Sequence, residues 1–340
     1  MKKKLVIINN EKCNKENNEL FCENIEMKSI SDNLKSKFDI KFFLRKGKIS
    51  PVYKLDKSII EISSNIFIFT KKIIKSIFND NANYLIISVT PYTFYSFILL
   101  FLFRKKTYLY LRSDGRKEII HIYGTLLSNL YKIAENIMSY FCTLIVVNKL
   151  LSNKENYFLV NPSQIDKDWL VKSNIKPNRE KIKLLYVGRI KVEKGVFSLI
   201  SLFKKVIGLN KDITLTIIGS GKIPNEKNPK IKFVNPVSYK KDLINYYDTH
   251  TIFVLPSFTE GHPQVLLESL SRQKPVIVFD EIKHVAENYN GIFITKRNPH
   301  EFKKTIEHID ANYEKILNEI KENKYPSKEN FFEQLFKILN

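Results

Sequence analysis

Six short apolar runs in the second half of the chain constrain its fold more than any other feature. They are KIKLLYVG (181–188), DITLTIIG (212–219), KIKFVNPV (230–237), TIFVLPS (251–257), PVIVFD (275–280) and GIFIT (291–295). Most are continuously apolar rather than alternating, so both faces of their sheet must be covered. Helical patterns fall between several of them: near Glu193, over Lys240–Tyr247 and from His262. This alternation predicts a parallel sheet with helices packed on it. A long charged helix is expected over 298–325, and beyond Pro326 an amphipathic helix over 331–339.

The first half is less regular but similar in kind. KKLVIIN, FDIKFFL, NYLIISV, KTYLYLRS and TLIVVN read as strands separated by helical or loop segments. A chain of 340 residues exceeds one compact core. The expected fold class is therefore α/β, with two doubly wound, Rossmann-like parallel sheets. The domains are read as 1–172 and 173–325, joined through the polar stretch VKSNIKPNREK, with 326–340 as a helix returning to the first domain.

The formal net charge is +21, and the lysines are spread over both halves. Such a field concentrates nucleotides, anionic lipid or nucleic acid without choosing among them. A nucleic-acid binder is disfavoured, because the chain has no zinc-ligand spacing, no aromatic RNA-binding motif and no basic recognition helix. Cys13, Cys22 and Cys142 form no even set and no metal spacing, which points to a reducing cytoplasm. MKKKLVIINN has too short an apolar region for a signal peptide and reads as a first buried strand. FYSFILLFLF (94–103), followed by Arg104, Lys105 and Lys106, is too short to span a bilayer. It is either a core helix or a helix lying on an anionic membrane surface.

Three stretches carry candidate chemistry. In LLYVGRIKVEKG (184–195) a strand ends at Gly188, and Arg189 and Lys194 precede a helix start at Gly195. Amides at a helix start beside two cations suit a diphosphate; solvated lysines on a glycine turn are the alternative. Gly219 and Gly221 follow the next strand, where ligands of such sheets bind but where glycine turns are also common. In PSFTEGHPQVLLESL (256–270), Glu260 and Gly261 lie in a loop, and Glu268 lies about two turns inside a helix read from His262. Pro263 suits the first turn. The amides of Gln264, Val265 and Leu266 are expected to face phosphate oxygens. One carboxylate then reaches the ribose (Glu268) and the other the transferred sugar (Glu260). A dipole-favoured glutamate and a surface glutamate would read the same.

Taken together, RIKVEKG and, about 65 residues on, PSFTEGHPQVLLESL resemble the donor-binding half of GT-B retaining glycosyltransferases, the glycosyl transferases group 1 type marked by E-x7-E. The resemblance covers roughly 182–295. It implies two Rossmann-like domains facing across a cleft. It also implies that Arg189 and Lys194 bind the donor diphosphate, that Glu260 contacts the donor sugar and Glu268 the ribose, and that the amides after Gly261 hold phosphate. Gly188, Gly219, Gly221 and His262 would border that site. Two positions depart from the pattern: Gln273 stands where a small residue is usual, and FDEIKHV lacks the usual glycine pair. The amino-terminal half has no Gly-rich loop after its first strand. Its candidate catalytic residue is Asp114, in LRSDGRKE.

By this resemblance the expected activity is metal-independent transfer, with retention, of a hexose-type sugar from a UDP- or GDP-sugar. The acceptor is a glycan or lipid-linked molecule of cell-surface polysaccharide or lipopolysaccharide synthesis. No cofactor, metal ligand set or nucleic-acid partner is expected. The enzyme would be cytoplasmic and peripheral on an anionic membrane surface. The alternatives are a catalytically weak GT-B carbohydrate-binding protein and a nucleotide-sugar epimerase. A phosphorylase is disfavoured, since no pyridoxal-phosphate lysine context is found.

Overall fold

The computed structural model describes residues 2–49, 51–152, 154–171, 180–206 and 212–340, without the side chains of residues 117, 118, 121 and 122. Two compact units divide the chain: Met1–Pro162 with Lys328–Asn340, and Ser163–Ser327. The second unit thus begins earlier in the chain than residue 173. Much of the polar stretch read as the junction, 172–179, lies outside the described residues.

The first unit is built on β1 (Lys3–Glu16), β2 (Glu19–Cys22), β3 (Phe38–Lys46), β4 (Tyr53–Leu55), β5 (Ile60–Ser63), β6 (Ala82–Ile87), β7 (Thr107–Leu111), β8 (Thr143–Val146) and β9 (Phe158–Leu159). Strands β3, β6, β7, β8 and β9 extend in parallel from either side of β1, with β5 outside β3. Adjacent residues of β1 supply opposite faces, as strand geometry requires. Leu5 and Ile7 enter one core cluster, Val6 and Ile8 the other.

β1 does not end where an apolar strand was expected. It continues through Glu16, turns at Asn17 and Asn18, and pairs back antiparallel with β2, which in turn pairs with β4. Both asparagines have positive φ, 46° and 63°, the conformation a two-residue hairpin favours. A hairpin therefore stands where a Gly-rich loop would otherwise follow the first strand.

The helices Ile25–Leu34 and Lys328–Leu339 cover the Leu5 side of this sheet. The helices Ile66–Asn79, Pro91–Leu102 and Thr125–Phe141 cover the Val6 side. The carboxy-terminal helix buries Phe331, Phe332, Leu335 and Leu339, and Phe331 lies 6.5 Å from the Tyr110 ring.

The second unit holds β10 (Lys181–Val187), β11 (Asp212–Ile218), β12 (Ile231–Val234), β13 (Ile252–Leu255), β14 (Val276–Phe279) and β15 (Ile292–Thr295). All are parallel, in the order β12-β11-β10-β13-β14-β15. The chain winds outward one way from β10, then returns to its other side at β13. That reversal opens a crevice at the carboxyl ends of β10 and β13, where sheets of this class bind ligands. The charged region after residue 298 forms two helices, Pro299–Ala311 and Tyr313–Lys321, broken at Asn312.

Segment 163–171 is tied to this unit. Arg272 Nη1 donates to the Trp169 carbonyl at 2.9 Å and to that of Val171, while Nε and Nη2 form a buried two-pronged pair with Asp248. The Trp169 ring meets Tyr247 edge-on.

Phe331→Ala opens a cavity in the first unit's core. It should lower unfolding free energy by about 3–5 kcal/mol, read as a reduced midpoint in urea denaturation followed by circular dichroism. An unchanged midpoint would show that the terminal helix does not belong to that core.

Candidate functional site

The residues singled out in the second unit come from loops that follow three neighbouring strands, β11, β10 and β13. The loop after β10 is stitched to the loop after β11. Gly188 N–H donates to the Ile218 carbonyl at 2.9 Å, Ile190 N–H donates to that of Ser220 at 2.7 Å, and Ile190 bridges to Gly221. A Cβ on Gly219 would lie 1.7 Å from the Gly188 carbonyl oxygen, so only glycine permits this approach.

The same loop is stitched on its other side to the loop after β13. Gly195 has φ +67° and caps the helix Val196–Lys205; a Cβ there would lie 1.8 Å from the Pro256 carbonyl oxygen. Phe258 N–H donates to the Glu193 carbonyl at 3.0 Å. Above these contacts, Lys194 Nζ meets Glu260 Oε1 at 2.7 Å, and Ser257 Oγ donates to the same oxygen at 2.6 Å. Two residues 66 apart in sequence are thereby joined at the crevice. The Glu260 carboxylate is held by one oxygen, and Oε2 has no protein hydrogen bond among the described residues. The Arg189 side chain is exposed at the start of the loop, and its carbonyl accepts the Tyr186 hydroxyl at 2.8 Å.

The helix of the third stretch begins at Gln264, not at His262, with Pro263 as its cap residue. Proline fixes φ and offers no amide hydrogen, so the helical ladder starts after it. Leu266 N–H already donates to the Pro263 carbonyl at 3.2 Å, so it is engaged, unlike the expectation for it as a phosphate donor. Gln264 Oε1 accepts the Gln164 N–H at 3.0 Å. Gly261 and His262 are half-buried in the loop before the helix.

Glu268 is only 6% exposed, and Tyr247 donates to its Oε2 at 2.9 Å. Burial disfavours the ionised carboxylate and raises its pKa to about 7, against the opposing Tyr247 hydrogen bond. As with Glu260, one oxygen is committed to the protein, and the other takes no hydrogen bond among the described residues.

Three supports of this site are absent from the residues singled out in the sequence. Arg297, just beyond β15, donates to the Pro256 carbonyl at 3.0 Å and pairs with Glu281 at 2.8 Å. Its guanidinium stacks on Phe258 and Phe279 at 4.2 and 4.3 Å. His284 Nε2 lies 2.9 Å from the Glu260 carbonyl oxygen. Tyr247, on the helix Lys240–Thr249, holds Glu268. Only Arg297 left a hint, a cation at the carboxyl end of a parallel strand; the other two depend on contacts remote in sequence. Asp114 belongs to the first unit, between β7 and the helix Gly115–Tyr123, and is not among the residues the second unit gathers. Among the described residues, no three His, Cys, Asp or Glu side chains gather as a metal site requires.

Residues 168–326, most of the second unit, match the family model of glycosyl transferases group 1. The chain is similar to the capsular polysaccharide biosynthesis glycosyltransferase CapM of Staphylococcus aureus, 29% identical over 169 residues, or 46% of this chain and 42% of that protein. It therefore spans less than half of the length of that curated relative. In fold it is similar to HepE of Anabaena, solved with UDP-glucose, with a TM-score of 0.70, 14% identity and 99% of each chain covered. It is likewise similar to WaaG, a glycosyltransferase involved in lipopolysaccharide biosynthesis, with a TM-score of 0.65, 12% identity and 99% of each chain covered. The architecture is two parallel-sheet α/β units of the GT-B fold.

The raised pKa of Glu268 has a signed consequence. Its folded value lies above that of the unfolded chain, so its contribution to stability is complete below about pH 4.5 and is lost as pH rises toward about 7. Glu268→Gln should abolish that decline, a difference of up to about 3 kcal/mol between the two ends of the window. Urea midpoints of both proteins across this pH range give the test, and parallel profiles would contradict the raised pKa.

Proposed function

We propose that the chain is a glycosyltransferase that moves a hexose-type sugar from a nucleoside diphosphate donor, with retention and without a metal. The observation that carries this reading is the Lys194–Glu260 pair at the sheet's switch point, with Arg189 in the same loop. A leaving diphosphate accumulates negative charge as the sugar departs. Fixed cations and the amides at the start of the helix Gln264–Ser271 stabilise that charge in the transition state.

The two carboxylates fit opposite ends of such a donor. Glu260 Oε1 is held by Lys194 and Ser257, which leaves Oε2 for a sugar hydroxyl. Glu268 Oε2 is held by Tyr247, which leaves Oε1 for a ribose hydroxyl. Hydroxyls donating to carboxylates form strong, directional hydrogen bonds. Arg297 and His284 position the Glu260 loop and need not touch the donor. Similarity to CapM and fold likeness to WaaG support an acceptor in cell-surface polysaccharide or lipopolysaccharide synthesis, and the exposed apolar side chains of the first unit, such as Phe101 and Leu102, favour a lipid-linked one. HepE, solved with UDP-glucose, supports a UDP-sugar as the first donor to try.

Incubation with a panel of UDP- and GDP-sugars, following release of free nucleoside diphosphate, tests the reading. One donor should turn over at an undiminished rate in the presence of chelator. Arg189→Ala and Lys194→Ala should each lower kcat by about 100-fold or more without changing the circular dichroism spectrum. Full activity in both variants would contradict the assignment, and loss of activity with chelator would contradict the metal-free mechanism.

A further inference from the structure

The helices on the Val6 side of the first unit's sheet are apolar on their outer faces as well as their inner ones. The helix Thr125–Phe141 buries Tyr131 and Met138. At a second helical spacing it exposes Leu126, Leu130, Ile133, Ile137 and Tyr140, with Leu126 76% exposed. Residues three and four apart share a helix face, so these five form one stripe. The helix Pro91–Leu102 exposes Phe101 and Leu102, with Phe103 following, and the helix Ile66–Asn79 exposes Phe67, Ile74 and Phe78. Ring contacts join the three helices: Phe78 to Phe103 at 5.1 Å and Phe101 to Phe141 at 4.7 Å. The patch is continuous, and solvent-facing apolar surface of this extent marks an interaction site.

Cations are placed beside these aromatic side chains. Arg104 stands directly after Phe103 with φ +51°, at a helix-ending position that glycine would occupy with less strain. Lys105 follows it, whereas Lys106 sits over the Tyr108 ring of the Leu5-side core. Lys154 Nζ donates to the Ser139 and Tyr140 carbonyls at 2.8 Å and sits over the Tyr140 ring, at the end of the helix Thr125–Phe141. Lys71 and Lys75 are exposed on the helix Ile66–Asn79 and Lys132 on the helix Thr125–Phe141. The helices Ile66–Asn79 and Pro91–Leu102 contain no acidic residue, and Glu135, the one acid of the helix Thr125–Phe141, is half-buried.

We propose that this three-helix face docks on the anionic leaflet of a lipid bilayer. The exposed aliphatic and aromatic side chains enter the headgroup boundary, and Lys71, Arg104 and Lys154 meet lipid phosphates. An apolar face edged by cations matches an anionic interface in both respects. A second copy of the chain matches only the apolar half, because self-pairing sets lysine against lysine on a protein of net charge +21. Among the described residues no helix is long and apolar enough to cross a membrane, so the contact is a surface one. The proposal deepens the reading of a lipid-linked acceptor and rests on that reading for its purpose. Its test requires no sugar transfer, so the two fail separately.

The full chain is sedimented with phosphatidylcholine vesicles with and without phosphatidylglycerol, alongside the Leu102→Asp/Leu130→Asp and Lys71→Glu/Arg104→Glu variants. Both substituted sets lie on exposed positions, and thermal unfolding by circular dichroism confirms that each variant folds. The unaltered protein should bind only the anionic vesicles, and each double variant should lose about tenfold or more of that binding. Binding that survives the aspartates would overturn the proposal, leaving a purely electrostatic attachment. Absence of vesicle binding would overturn it too; if sedimentation velocity then shows a dimer that the aspartates dissociate, the face joins two copies of the chain.

Discussion

The backbone of Gly195 lies against the Pro256 carbonyl at a distance that no side chain tolerates, and the organisation of the candidate site depends on that contact. It brings together the loops after β10 and β13, the two strands between which the sheet reverses direction. With the backbones this close, Lys194 and Glu260 can meet at 2.7 Å. Arg297 donates to the same Pro256 carbonyl while its guanidinium packs on two phenylalanines. Charged groups here are fixed before any ligand arrives, which is the condition for electrostatic stabilisation without costly reorganisation.

Much of the second unit was legible in sequence because its central strands are buried on both faces. A run such as TIFVLP has one reading when no side is available to solvent. Its order along the chain also implied the crevice, since strand ends carry the glycines and charged residues. The start of the helix after β13 was less legible. Pro263 reads equally well as a first-turn residue or as the residue before it, and the chain takes the second course. Tyr247 and His284 gave no signal, because their roles come from packing between segments more than 20 residues apart.

The first unit was less legible for a different reason. Its sheet mixes parallel strands with an antiparallel extension, and β2, β4, β5 and β9 have only two to four residues each. Runs that short lack periodicity. The asparagine pair that turns β1 into β2 stands where that class often has a glycine-rich loop, so the first unit resembles its class in architecture more than in motif. The run 94–103 was ambiguous because it serves two surfaces. Phe97 and Leu100 enter the core, whereas Phe101 and Leu102 face outward. A sequence window cannot separate those two demands, but the sheet beneath the helix does.

Under the proposed function, the crevice between β10 and β13 should hold a nucleoside diphosphate by its phosphates. A crystal structure of the full chain with UDP or GDP tests it most directly. Phosphate oxygens should lie within hydrogen-bonding distance of Lys194 Nζ and of the amide at the start of the helix Gln264–Ser271, with the ribose at Glu268. A nucleotide bound elsewhere, with Lys194 and Glu260 still facing only each other, would contradict it.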